Sequence, residues 1–165
     1  MEVWDAYNVD GTLAGFDLIR GNPIPPNYYH LVCEAIIRHT DGDYLLMQRS
    51  FEKEIYPGKW EIGAGGSALK GEDKITAVKR EIEEETGINV GDLEEIYTCV
   101  WEKHQSIYYG YLLNTSFDKE NVKLQTGETI DYKWISKQEL IAFYDSSECS
   151  PTLKERLTSY IDSIR

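Results

Sequence analysis

The residues best suited to chemistry fall in one run, GSALKGEDKITAVKREIEEETGI at positions 66–88, which carries Glu72, Arg80, Glu81, Glu84 and Glu85. In a helix, side chains three and four apart share a face, so Glu81, Glu84 and Glu85 crowd a single patch. Like charges that close destabilise a helix unless something neutralises them. Arg80 is one candidate for that role. A hard divalent cation is another, because Mg²⁺ takes carboxylate oxygen and fills its other positions with water and substrate phosphate.

The elements that must position these groups can be read from caps and turns. The helix is expected to start at Glu72 or Asp73, acids suited to the positive end of the dipole, and to stop at Thr86-Gly87, a glycine C-cap. Ala77, Val78 and Ile82 supply its core-facing stripe. Gly63-Ala64-Gly65-Gly66 is a glycine-rich turn that brings backbone close to the site. Segments 2–8 and 16–20 predict an N-terminal hairpin around Asp10-Gly11. Tyr28 to Arg38 and Tyr44 to Gln48 predict an antiparallel pair across Asp41-Gly42, with a polar loop over 49–59 and a short strand over 60–62. Strands follow at 93–101, 106–114 and 131–135, with a polar, mobile loop over 117–129. A capping box, Ser136 to Glu139, opens a helix to about Tyr144. Ser150-Pro151 caps a last helix toward Ile164. Strands followed by helix, strands and helices make an α+β chain or a layered mixed sheet.

Residues 66–88 resemble the Nudix box, G-x5-E-x7-R-E-U-x-E-E-x-G-U with U a bulky apolar residue, at every specified position: Gly66, Glu72, Arg80, Glu81, Ile82, Glu84, Glu85, Gly87 and Ile88. The resemblance implies the Nudix fold, an α/β/α sandwich with a mixed sheet, in one domain spanning 1–165. Its core would cover 28–145, with the hairpin (1–26) and the last helix (150–164) as family-variable additions. It implies Mg²⁺, or Mn²⁺, bound directly by Glu81 and Glu85. Glu84 would be a further ligand or a base working through water. The Gly65 carbonyl could add a ligand, Glu72 would be an outer or additional metal group, and Arg80 would orient the glutamates. The metal would neutralise a diphosphate and activate water. Glu128, ahead of the 131–135 strand, is the candidate for a further catalytic glutamate of such enzymes, with Asp131 in reserve.

Composition narrows the partners. A net charge of −12 excludes a general nucleic-acid polymer binder, which needs a basic footprint. A small phosphorylated substrate, a nucleotide, fits better. Arg49, Lys53 and Lys59, flanking the loop before the glycines, are candidate phosphate contacts or ordinary solvated loop cations. Trp60, Trp101, Tyr108, Tyr109 and Tyr111 include candidates for a base-stacking platform, about half of them facing the core by strand alternation. His104 is a candidate base in a strand-connecting loop; His30 and His39 are weaker ones. No apolar run is long enough to cross a bilayer. Cys33, Cys99 and Cys149 show no metal-type spacing and read as reduced thiols of a cytoplasmic protein, Cys33 and Cys99 as core filler. The expected state is a monomer or a homodimer.

Two other readings share the fold. Pro57-Gly58-Lys59-Trp60 is also similar to the approach in isopentenyl-diphosphate isomerases, which use a cysteine just after this tryptophan; here Trp60 to Gly66 contains none. A non-catalytic ligand-sensing Nudix domain is the other, and such domains often lose box glutamates that this chain keeps.

Overall fold

A computed structural model describes residues 1–165. Nine strands and three helices run in the order β1 (Val3–Tyr7), β2 (Leu13–Ile19), β3 (His30–His39), β4 (Tyr44–Arg49), β5 (Trp60–Ile62), β6 (Ala64–Ser67), α1 (Lys74–Thr86), β7 (Leu93–Trp101), β8 (Ser106–Thr115), β9 (Thr129–Ile135), α2 (Lys137–Asp145) and α3 (Pro151–Ile164). The β1–β2 pair is a separate two-stranded sheet, and the other seven strands form one mixed sheet in which β3 and β8 are parallel. No helix is long and apolar enough to cross a membrane.

Alternation along the central strands builds two cores. Ala35, Ile37, Leu45 and Met47 face α1, meeting Ala77, Val78 and Ile82. Their neighbours Ile36, Tyr44 and Leu46 face the other way, onto Leu140 and Phe143 of α2 and Leu153, Leu157 and Ile161 of α3. The period of two in a strand makes each sheet face a separate apolar layer, so the helices cover both faces of an α/β/α sandwich.

The expected β3–β4 hairpin is joined at one register pair only, Arg38↔Tyr44. Beyond it the strands splay, and the segment from β5 to β6 fills the gap, β5 pairing with β4 and β6 with β3. Gly63 makes the crossing with φ +66°, where a Cβ would overlap the Ala35 carbonyl oxygen. The glycine stretch is therefore a strand laid into the sheet rather than a free turn. It runs directly beneath α1.

Local signals hold elsewhere. Asp73 caps α1 by accepting the Thr76 N–H at 2.7 Å, and Gly87 closes it in the left-handed region at φ 71°. The Ser136–Glu139 capping box forms at α2. The 117–129 segment contains a short 3₁₀ turn, Lys119–Asn121, and is anchored by buried Val122, which ties it to the α1-side core. Cys33 is core, but Cys99 is only half-buried.

Candidate active site

Glu81, Glu84 and Glu85 lie on the α1 face over β6, in a cleft of 730 Å³ that also admits Arg49, Lys53 and Glu128. Arg80 is its hub. Nε and Nη2 donate to the two Glu72 carboxylate oxygens at 2.8 and 3.0 Å, and Nη1 donates to Glu81 at 2.7 Å and to Glu84 at 3.2 Å. Nη2 also donates to the Ser67 carbonyl at 3.1 Å. Glu72 in turn accepts the Leu69 N–H at 2.9 Å. The Arg80 guanidinium holds the Glu72 carboxyl below the usual carboxylate range.

Glu81 and Glu85 differ. Desolvation raises Glu81 even against Arg80. It raises Glu85 well above the usual range, and the neighbouring charges of Glu81 and Glu61 push the same way. Glu85 accepts one hydrogen bond, a long one of 3.4 Å from the Gly65 N–H. The Gly65 contact is thus made by its N–H. Gly66 is needed for space: a Cβ there would stand 2.5 Å from a Glu81 carboxylate oxygen.

No three His, Cys, Asp or Glu side chains converge on a common metal point, because Arg80 sits between Glu72, Glu81 and Glu84. The donor set nevertheless suits a hard cation. All the acids are carboxyl groups, and Glu85 is a desolvated one with a single weak partner beside other acids, whose ionised form a bound cation would favour.

The remaining sequence candidates separate. Lys53 pairs with Glu128 inside the cleft. Arg49 lines it too, donating to Glu61 and to the Ile55 carbonyl, each at 3.0 Å. Lys59 does not reach the cleft; it is exposed, and its carbonyl accepts the Arg49 N–H at 2.9 Å. Asp131 is exposed on β9, opposite Gln48. His39 pairs with Asp41 in the β3–β4 turn. His30 sits between Ser106 Oγ (2.7 Å) and Ser67 Oγ (3.3 Å).

Of the aromatic candidates, Trp101 and Tyr108 line a second recess of 260 Å³, with Tyr56 and His104. Trp101 and His104 ring centroids are 4.1 Å apart. Arg49, Gly66 and Ser67 line both the recess and the acidic cleft, so the two adjoin. Tyr111 is buried in the core, Tyr109 packs under the Lys74 ammonium at 4.3 Å, and Trp60 lies under Lys133. The cleft also takes Met1, Glu2, Arg20, Lys70 and Gln125, which the sequence reading passed over. For Glu2 and Arg20 the only sequence signal is charge in a segment read as peripheral; Lys70 lies within the 66–88 run itself, and Met1 and Gln125 carry no such signal.

Comparison with known proteins agrees with this architecture. A model described as the NUDIX domain matches residues 29–155. A Listeria monocytogenes protein named uncharacterized Nudix hydrolase lmo0368 is 33% identical over 153 residues, covering 92% of this chain and 89% of the relative. The nucleoside triphosphatase NudI of Salmonella paratyphi B is 30% identical over 125 residues, 70% of this chain and 86% of the relative. Among solved structures, DR0079 from Deinococcus radiodurans matches with a TM-score of 0.75 at 20% identity, covering 93% of this chain and 96% of that one, a likeness of fold. The chain belongs to the Nudix hydrolase family.

Proposed function

We propose that the chain is a divalent-metal-dependent hydrolase that cleaves a diphosphate linkage in a nucleoside diphosphate derivative or a nucleoside di- or triphosphate, with Mg²⁺ or Mn²⁺. The observation that carries this reading is Glu85: a desolvated carboxylate facing Glu81 with one 3.4 Å partner. Glu81 and Glu85 would hold the cation, with Glu84 and, at the edge, Glu72 and the Gly65 backbone. A bound divalent cation supplies charge neutralisation of the phosphates and a more acidic water.

The chain's own groups do the rest. Arg80 keeps Glu81 and Glu84 oriented and Glu72 ionised. Arg49 and Lys53 bind phosphate oxygens. Glu128 accepts the proton of the attacking water, or Glu84 does. The recess of Trp101 and Tyr108 takes the nucleobase, since an aromatic face stacks on any base and the shared residues lead from it to the acids. The likeness to a nucleoside triphosphatase supports a nucleotide substrate.

The test is a hydrolysis screen with products identified, across simple nucleotides, nucleotide sugars and dinucleoside polyphosphates with Mg²⁺, on wild type, Glu84→Gln and Glu85→Gln. Hydrolysis that both variants lose supports the proposal. Undiminished hydrolysis in both overturns it, as does isomerisation of isopentenyl diphosphate without phosphate release.

A further inference from the structure

The acidic cleft has a wall that the box does not supply. Met1, Glu2, Val3 and Arg20 of the N-terminal hairpin line it, beside Lys70 of the loop into α1. The hairpin lies outside the 29–155 segment that matches the family model, yet it is fixed to the approach of the box at several points. The Lys70 N–H donates to the Val3 carbonyl at 2.9 Å, the Gly71 N–H to the Asp5 carboxylate at 2.7 Å, and Lys70 Nζ pairs with Asp17 at 2.6 Å. Trp4, Ala6 and Leu18 bury against Leu69, and the Trp4 ring stacks on His30 with centroids 4.3 Å apart. Two main-chain hydrogen bonds join Tyr7 and Tyr29. A hairpin held this way keeps a constant position relative to the glutamates.

Arg20 is set by Glu2. One Glu2 carboxylate oxygen accepts the Trp4 indole N–H at 2.7 Å, and the other accepts Arg20 Nη1 at 2.8 Å. A guanidinium carries five N–H donors, and Nη1 is the single atom of this one with a protein partner. Among the other cationic side chains of the cleft, Lys70, 54% exposed, holds Asp17, and the rest are more fully engaged. Arg80 serves three glutamates and a carbonyl, Lys53 holds Glu128, and Arg49 holds Glu61 and the Ile55 carbonyl. The Arg20 side chain is 58% exposed against 21% for Arg80, so its free donors are open to a ligand. A planar fork of that kind matches phosphate oxygens. Because a chain of net charge −12 repels polyphosphates at long range, a cation on the open rim matters for capture.

We propose that Arg20 is a phosphate-binding residue of this site, delivered by the hairpin. The identity of the ligand as a nucleotide rests on the hydrolase reading; the anion site itself does not.

Inorganic pyrophosphate, titrated by calorimetry without metal, probes the site apart from turnover. Arg20→Gln is expected to weaken its binding about tenfold, the usual scale of one charge-assisted contact. Arg20→Lys keeps the charge without the fork and falls between. Lys154→Gln removes the same charge from α3, outside the cleft, and binds like wild type. With a nucleoside triphosphate and Mg²⁺, Arg20→Gln raises KM about tenfold while kcat stays within about twofold. Equal weakening in Arg20→Gln and Lys154→Gln, no weakening in Arg20→Gln, or no pyrophosphate binding by wild type overturns the proposal. If pyrophosphate binds through Arg20 but no nucleotide is hydrolysed, the hydrolase reading fails and this one stands. Turnover with unchanged KM and pyrophosphate affinity in Arg20→Gln gives the reverse.

Discussion

Arg80 grips Glu72 with one edge of its guanidinium, Nε to one carboxylate oxygen at 2.8 Å and Nη2 to the other at 3.0 Å. The pair ties the loop before α1 to the middle of that helix and leaves Nη1 for Glu81 and Glu84. A lysine has the charge but not the fork. Arg80→Lys is therefore expected to keep the fold and to lower kcat/KM by roughly 10- to 100-fold, the usual effect of removing a group that orients metal-binding carboxylates. Steady-state kinetics at saturating Mg²⁺, with far-UV circular dichroism as a folding control, checks it; activity within about twofold of wild type would show that charge alone suffices.

His30 gives a pH dependence of stability. Burial above all, then the charge of Arg20, holds its imidazole down at about 4 from an ordinary 6.5; His104 adds to this and Glu2 opposes it. Between those values the unfolded chain takes a proton that the folded chain refuses. Stability from this group is thus fully present above pH 6.5 and is lost as pH falls toward 4. At pH 5 the loss is on the order of 2 kcal/mol. Urea denaturation of wild type and His30→Gln at pH 7.5 and pH 5 isolates it, the variant losing less stability on acidification.

Local chemistry was legible in the sequence. Asp73, Gly87, the Ser136–Glu139 box and Ser150-Pro151 each mark a helix end through hydrogen bonds or φ preferences within a few residues, and each helix ends where they say. Long-range choices were not. Nothing in Tyr44 to Gln48 says that β4 leaves β3 after one pair, because that depends on β5 and β6 entering at Gly63. The cleft shows the same limit. Lys59 is near the glycines in sequence and outside the cleft in space, whereas Arg20, 46 positions before Gly66, lines it.

Glu34 of β3 and Arg156 of α3 form an ion pair, with Nε and Nη2 of the arginine 2.5 and 3.2 Å from the carboxylate oxygens. The Tyr97 hydroxyl also donates to Glu34, and the guanidinium lies 4.4 Å from the Tyr108 ring centre. With side chains 11% and 19% exposed, removing one partner strands the other charge. Arg156→Met is expected to cost about 3 kcal/mol. Adding Glu34→Gln should return a good part of that loss, which a double-mutant cycle in urea measures directly; additive losses would show that the two charges act independently.

Lys53 and Glu128 join the two loops that flank the cleft, and the Ser50 N–H donates to the Glu128 carbonyl at 2.8 Å. While Lys53 holds its carboxylate, Glu128 is a poor acceptor for a water proton. A substrate phosphate offers Lys53 a competing anion, so binding would release Glu128 for proton transfer. On this scheme the two single variants differ in kind. Glu128→Gln lowers kcat by about 10²- to 10⁴-fold, the range for a general base, with little change in KM. Lys53→Gln raises KM about tenfold, the loss of one charge-assisted contact, while kcat stays within about threefold because Glu128 is already free. If the pair instead only braces the loops, both variants lose the same brace, and their melting temperatures and kinetic constants move together.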